Sequence, residues 1–473
     1  MAIESSRKAY AVTANLIPAS LSEPAYDAEL RASHREDQRR LSARYLQRLH
    51  WSREQLDIER RRRLRELVAV ARERSPWHRR RLARFDAATL HEGELSRFPV
   101  MTKEDVMANF DDVVTNRRLT LSRVESHLAG LDATPRYLLE RYQTVVSGGS
   151  SGVRGLFVYD WQGWAGCYAG AFRYFMRDFG GRPISLAVVA AGSAAHISRA
   201  ILHTFSDPAT IRIQPVPITL PTQRIVAGLN QIQPQALFTY PSGLVELVEA
   251  ARAGELTITP RAIITGGEPL TAELRLAAES TFDAKVLNWW VSTEAGPMGI
   301  GCGHGPWMHL SDDLVIVEPV DDDGQPVPPG ARSAKVLLTV LYNHALPLIR
   351  YELSDEITVL GHACPCGSVQ TLIEDVQGRR DDSFSYGGVV VHPHAFRSIL
   401  SRARGIIEYR VIQTERGARV EIRGEADHLE LRGQLTGALT ALGVNQPDVS
   451  IARARALERQ PTGKIKRFIA LSD

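Results

Sequence analysis

The segment SGGSSGVRG, Ser147 to Gly155, has the composition of a phosphate cradle. Glycines let backbone N–H groups come close to phosphate oxygens, and serine hydroxyls add donors, which makes Ser147, Gly148, Gly149, Ser150, Ser151 and Gly152 the candidates. No Gly-Lys-Ser/Thr ends the segment, so it is not a Walker-type loop, and an ordinary turn has the same composition. TGGEP, Thr265 to Pro269, follows the strand-like run RAII and falls at the C-terminal end of a strand, where open α/β sheets bind ligands. WWVSTE, Trp289 to Glu294, offers a flat aromatic face, a hydroxyl and a carboxylate, groups that suit a purine, a phosphate and Mg2+. LIRYELSD, Leu348 to Asp355, and QGRRDDSF, Gln377 to Phe384, add charged residues, and PTGKIKR, Pro461 to Arg467, presents Lys464 after a Thr–Gly pair.

A second constellation is made of thiols. GCGHGPWMH carries Cys302, His304 and His309, HACPCG carries His362, Cys364 and Cys366, and Cys167 stands apart. Three thiolates and one imidazole complete a tetrahedral zinc shell and leave no open position for catalysis, so the predicted role is structural. The Cys-x-Cys spacing is less diagnostic than Cys-x-x-Cys, and three histidines compete for the fourth place. Four cysteines in 473 residues do not make a disulfide framework. The start, MAIESSRKAY, lacks the apolar core of a signal peptide, which predicts a cytoplasmic protein with reduced thiols.

These loops need a scaffold, and 473 residues exceed what one hydrophobic core usually organises. Residues 1–55 read as a polar extension or a helix laid on the main body. From Gln55 to Leu82 the pattern is helical, with Leu56, Ile58, Leu64, Leu67, Val68 and Val70 interleaved with acids and arginines, as on a solvated helix packed by one face. Thr102 before Lys103, Glu104 and Asp105 reads as a helix N-cap. After Val145, apolar runs alternate with helical stretches, which implies an α/β fold with helix-covered parallel sheet. Beyond Asp312 the texture becomes β-rich, with LVIVEPV and AKVLLTVL joined by an Asp/Pro/Gly turn. A boundary at Gly378 to Asp382 divides residues 56–378, a large domain, from 379–473, a small α+β domain.

In their fixed order the six loops, together with RERSPWHRRRL, ALPLIRY, CPCG and GRRDD, resemble the adenylate-forming (AMP-binding) superfamily and most closely its phenylacetate-CoA ligase-like branch, from about Arg60 to the end. The resemblance implies a large N-terminal domain and a small mobile C-terminal one, with ATP and Mg2+ used to convert a carboxylic acid to acyl-AMP before transfer to CoA. It places Gly266, Gly267 and Glu268 along the adenine, Trp290 stacked on it, Thr293 at the α-phosphate and Glu294 on Mg2+. Asp355 would accept from the ribose hydroxyls, Arg379 would contact the nucleotide, and Asp381 or Asp382 would be the hinge. Lys464 would be the adenylation lysine. The branch also favours Cys302, His309, Cys364 and Cys366 as zinc ligands, with His304 and His362 as alternates. Two positions depart from the pattern: Gly155 stands where the family has lysine, and Val291 where it has glycine.

A net charge of +3 is too small to imply a polyanionic partner, and no segment approaches the ~18 apolar residues of a membrane span, so neither nucleic acid nor membrane is expected. The partners implied are an aromatic or related acid, ATP and CoA, with an amine or a carrier-protein thiol as the alternative acceptor and a homodimer left open. Gly155 and Val291 are what a non-catalytic nucleotide-binding protein of the same fold would rest on.

Overall fold

The computed structural model describes residues 25–131, 136–147, 155–180, 183–191, 194–207, 209–376, 384–391, 393–400, 403, 406–460 and 465–471. Among the described residues six α-helices come first: α1 (Ala25–Gln47), α2 (Arg53–Arg74), α3 (Pro76–Arg81), α4 (Lys103–Ala108), α5 (Phe110–Val113) and α6 (Leu121–Ala129). Ser52 starts α2 with a reciprocal capping box to Gln55. Pro76, which has no N–H to give a helix interior, ends that run and opens α3 under a Ser75 cap. Thr102 caps α4 in the same way, its hydroxyl accepting from Asp105 N while Asp105 accepts from Thr102 N. The buried stripe of α2 is Leu56, Arg60, Leu64, Leu67, Val68 and Ala71. Ile58, expected on that face, is 52% exposed, because its position lies well over 100° around the helix from the centre of the stripe.

Some arginines of this layer pair within their own helix, as Arg62 and Arg63 do with Glu59, and others with acids distant in sequence. Arg39 meets Asp207 at 2.6 Å, Arg60 meets Glu92 at 2.7 Å and Asp312 at 3.2 Å, and Arg48 meets Asp313 at 2.8 Å. Asp313 also takes Arg173 at 2.9 Å. Burial pushes its carboxyl up, but Arg173 and Arg48 together pull it well below the usual carboxylate range.

The hairpin of β1 (Gln143–Val146) and β2 (Leu156–Tyr159) carries the Ser/Gly loop, and α7 (Trp161–Phe179) follows it, packed against α1. The large sheet has eight strands in the order β13-β9-β8-β7-β6-β5-β3-β4. Its parallel part is β3 (Ile184–Ala190), β4 (Ile211–Pro217), β5 (Ala236–Thr239), β6 (Ala262–Gly266) and β7 (Lys285–Ser292). The connecting helices are α8 (Ile197–Phe205), α9 (Thr222–Ile232), α10 (Pro241–Arg252) and α11 (Ala272–Phe282). The sheet is mixed rather than wholly parallel, since β8 (Gly296–Gly301), β9 (Trp307–Leu310) and β13 (Leu372–Glu374) add antiparallel. A tight turn after β7, with Gly296 at φ +56°, reverses the chain where a crossover helix would otherwise be needed. A three-stranded antiparallel sheet of β10 (Val315–Val320), β11 (Lys335–Val340) and β12 (Tyr351–Leu353) contains the expected hairpin.

The C-terminal part comprises β14 (Phe384–Tyr386), β15 (Val389–Val391), α12 (Pro393–Leu400), β16 (Ile406–Thr414), β17 (Gly417–Gly424), α13 (His428–Ala441), β18 (Asp448–Arg453) and β19 (Phe468–Ile469). It has its own core, which includes Phe384, Phe396, Val411, Val420, Leu435 and Phe468. Among the described residues no helix is long and apolar enough to cross a membrane.

His78 on α3 is fully buried, with Nε2 3.0 Å from the Pro347 carbonyl, and burial lowers its pKa to about 3. The folded chain therefore binds fewer protons than the unfolded one between pH 3 and the ordinary histidine value of 6.5. Stability from keeping His78 neutral is complete above 6.5 and is lost as pH falls, by about 2 kcal/mol at pH 5. Urea unfolding should show a shallower decline from pH 7 to 5 in His78→Leu than in the wild type, and parallel declines would refute this.

Candidate active site

A cavity of about 280 Å3 opens over the C-terminal ends of β3, β5, β6 and β7, the ligand-binding edge of a parallel sheet. Its deep wall is apolar: Tyr168 and Phe172 from α7, Phe238 from β5, Ile264 from β6 and Trp289 from β7. Trp289 stands edge-on to Phe172 and Phe238, with ring centroids 5.3 and 6.4 Å away. The mouth is polar and holds Ser147, Glu268, Thr293, Glu294 and Asp355.

Ser147 closes the base of the Ser/Gly loop, donating N–H to the Gly155 carbonyl at 2.9 Å while its Oγ accepts from Gly155 N at 2.8 Å. A side chain at 155 would bring Cβ within 2.7 Å of the Phe157 ring, so this packing excludes a lysine unless Phe157 moves. Gly148, Gly149, Ser150, Ser151 and Gly152 lie outside the described residues. Among the described residues two lysines do line the cavity, Lys466 in the C-terminal tail and Lys103, at the first position of α4. Lys103 is placed there because Met101 N donates to Arg350 O at 3.0 Å and Glu352 N donates to Met101 O at 2.9 Å, a short parallel bridge to LIRYELSD. In sequence Lys103 shows only as the first residue after the Thr102 cap.

Gly266 ends β6, where a Cβ would come within 3.0 Å of the Trp289 carbonyl, and Gly267 has φ +77°. Both positions need glycine for reasons of backbone geometry. Glu268 accepts from Ser242 N at 2.9 Å, Ser242 Oγ at 3.0 Å and Ile465 N at 3.0 Å, so it ties the start of α10 to the C-terminal tail. Ile465 is the neighbour of Lys464, which itself lies outside the described residues, as do Arg379, Asp381 and Asp382.

On β7, Trp290 is buried and its indole N–H donates to Asp355 Oδ1 at 3.1 Å, tying the WWVSTE and LIRYELSD loops together. The register shifts at Trp290/Val291, and Val291 points its half-buried side chain to the cavity lining. Beyond it the loop is pinned from below: Tyr159 OH donates to the Thr293 carbonyl and Tyr342 OH to the Ala295 carbonyl, both at 2.6 Å. This holds Thr293 and the buried Glu294 at the mouth. Arg350 proves to be a structural residue: it pairs with Glu318 at 3.2 Å and donates to the Ser96 and Phe98 carbonyls. Arg467, from the tail, also lines the cavity, with its guanidinium over the Tyr409 ring at 5.2 Å.

The thiol cluster lies at the far edge of the same sheet. One donor atom each from Cys302, His309, Cys364 and Cys366 lies within 4.8 Å of all the others. Cys302 Sγ is 3.5 Å from Cys364 Sγ, and Cys366 Sγ is 3.2 Å from His309 Nε2. A tetrahedral zinc with bonds of about 2.0–2.3 Å separates its ligands by roughly 3.4–3.8 Å, so the four donors fit one ion. His309 Nδ1 faces the Gln370 carbonyl at 3.3 Å, which fixes the tautomer that frees Nε2. His304 turns instead to the Cys302 carbonyl, and His362 packs edge-on to Trp307. Cys167 is remote from the cluster, a buried thiol that burial pushes up to about 12.

No protein-family model matches the chain. It is 25% identical over 398 residues to phenylacetate-coenzyme A ligase of Thermus thermophilus, covering 81% of this chain and 82% of that protein. It is 23% identical over 478 residues to phenylacetate-coenzyme A ligase of Aromatoleum evansii, covering 93% and 97%. Among solved structures, 2-hydroxyisobutyryl-CoA ligase in its postadenylation state with R3-HIB-AMP matches with a TM-score of 0.69 at 20% identity, covering 90% of this chain and 91% of that one. The chain shares the fold of that structure, a helix-covered sheet with a separate α+β core at the C-terminus. In sequence the chain is similar to these two phenylacetate-coenzyme A ligases over more than four fifths of their length.

Proposed function

We propose that this chain is an AMP-forming acid–thiol ligase that joins a carboxylic acid to AMP and passes the acyl group to CoA. The observation that carries this is the meeting of TGGEP, WWVSTE, Asp355 and the backbone beside Lys464 around one cavity whose deep wall is aromatic. In this reading the acid's ring enters the wall of Tyr168, Phe172, Phe238 and Trp289, which suits a planar apolar group. The adenine lies along Gly266, Gly267 and the Trp290 side of β7. Asp355 keeps one oxygen on the Trp290 N–H and offers its carboxylate to the ribose. Ser147, Lys103 and Thr293 face the phosphates, and residues 379–473 form the small domain that brings in Lys464.

Glu294 is the residue assigned to Mg2+, which when bound would neutralise charge on the triphosphate. When the carboxylate attacks the α-phosphorus, charge builds on the phosphate oxygens and on the departing pyrophosphate. A lysine ammonium placed there in advance lowers that barrier. Cys302, His309, Cys364 and Cys366 would hold zinc in a closed shell, so it would fix the sheet edge and take no part in the reaction.

Pyrophosphate release with ATP and Mg2+ across aromatic and aliphatic acids, each with CoA, with hydroxylamine or with neither, tests the reading. The expected result is acid-dependent release that rises with CoA and yields a thioester, largest for aromatic acids. Release trapped only by hydroxylamine would move the acceptor to an amine or carrier thiol. No release with any acid would overturn the assignment.

A further inference from the structure

One face of α10 carries Ser242, Glu246 and Glu249, spaced four and three residues apart and so aligned along the helix. Two arginines from the C-terminal part grip this stripe. Arg459 donates Nη1 to Ser242 Oγ at 2.7 Å and Nη2 to the Ser242 carbonyl at 3.0 Å, and lies 3.6 Å from Glu246. Arg423, on β17, meets Glu246 at 2.8 Å and also pairs with Glu249. Behind it, Glu408 on β16 accepts from the same guanidinium at 3.0 Å and orients it toward α10. The stripe does not end at the seam. Ser242 Oγ accepts from Arg459 and donates to Glu268, which in turn accepts from Ile465 N. A continuous run of ion pairs and hydrogen bonds thus leads from Glu249 to the residue beside Lys464.

We propose that this stripe is the docking strip that sets the C-terminal part for the adenylation step, and that Ser242, Arg423 and Arg459 are positioning residues for Lys464 in that step alone. This rests on the adenylating reading above and adds to it the contacts that hold one of two working arrangements. The chemistry of the seam suits a contact that must be left as well as made. Glu246 and Glu249 are 28% and 43% exposed, so water can re-solvate them on release, which a buried apolar seam would not allow. Beside the strip the seam is incompletely packed: a cavity of about 360 Å3 lies between α10, the segment after β4, and Arg459. A permanent interface would fill such a space.

The test uses the full chain and an acid active with the wild type. Arg459→Ala and Arg423→Glu should each slow acid-dependent ATP–pyrophosphate exchange 10- to 100-fold, while thioester formation from the same acid's prepared acyl-AMP and CoA stays within twofold of wild type. Arg423→Glu combined with Glu249→Arg should recover at least a third of the lost exchange, with an unchanged melting temperature in all variants. Raising NaCl from 50 to 500 mM should slow exchange more than transfer. Equal loss of both half-reactions, no loss in exchange, or no recovery in the charge swap would overturn the proposal. Absence of exchange in the wild type would instead refute the adenylating reading itself.

Discussion

Lys464→Ala is expected to slow acyl-AMP formation by about two orders of magnitude and to leave transfer from prepared acyl-AMP to CoA nearly intact. A preplaced ammonium beside a developing phosphate charge is worth ~3 kcal/mol, which is about a hundredfold in rate. The asymmetry follows from where the charge develops, since attack of a thiol on the acyl carbonyl builds none on a departing pyrophosphate. The tail is held for this role through its backbone: Ile465 N donates to Glu268, and Glu268 is held by both the N–H and the hydroxyl of Ser242. Single-turnover measurement of each half-reaction decides the matter, and equal loss in both would remove Lys464 from the chemistry.

The second large effect concerns the thiol cluster. Cys364→Ser is expected to reduce bound zinc from about one per chain to near zero and to lower the melting temperature by roughly 10 °C, as loss of a closed structural metal shell does. The cluster joins the end of β8, β9 and the segment leading into β13, and β9 pairs with β13 through His309 and Leu372. Just beyond β13, Asp375 accepts from Asn288 at 3.2 Å and pairs with Arg275 at 2.5 Å. Asn288 lines the cavity, so adenylation should fall along with stability. Cys167→Ser, whose thiol is remote from the cluster, should keep its zinc. Metal analysis of protein prepared without chelator checks both, and a chain free of zinc with normal stability would retire the site.

The sequence showed what is written in short stretches. Thr102 and Asp105 are three residues apart and cap a helix wherever that helix packs, and the LVIVEPV and AKVLLTVL runs form their hairpin from turn chemistry alone. The zinc donors were legible because their residue types are rare and their spacing is short. What could not be read is what depends on distant partners. Lys103 reaches the cavity only because Met101 bridges to Arg350 and Glu352, about 250 residues later. The family resemblance implies only that Glu268 lines the adenine, and nothing near it in sequence reveals Ser242 or Ile465 as its partners. Nor does the two-residue period of β7 show that the Trp290 N–H finds Asp355. The parallel sheet was visible as an alternation of elements, while its antiparallel edge depended on one sharp turn at Gly296.

The pairing of Arg48 with Asp313 spans 265 positions, and this bears on how the chain is made. At ribosomal rates of about 5–20 residues per second, Arg48 emerges roughly 15–50 s before its carboxylate exists. Over that interval Arg48 has only Glu59 of its two carboxylate partners, and Arg60 lacks Asp312, beside the polyanionic surface of the ribosome. A nascent chain stopped before Asp313 should stay protease-sensitive through its N-terminal quarter, and one released after Gln370 should become resistant there. This early-made helical layer would thus be among the last parts of the fold to settle.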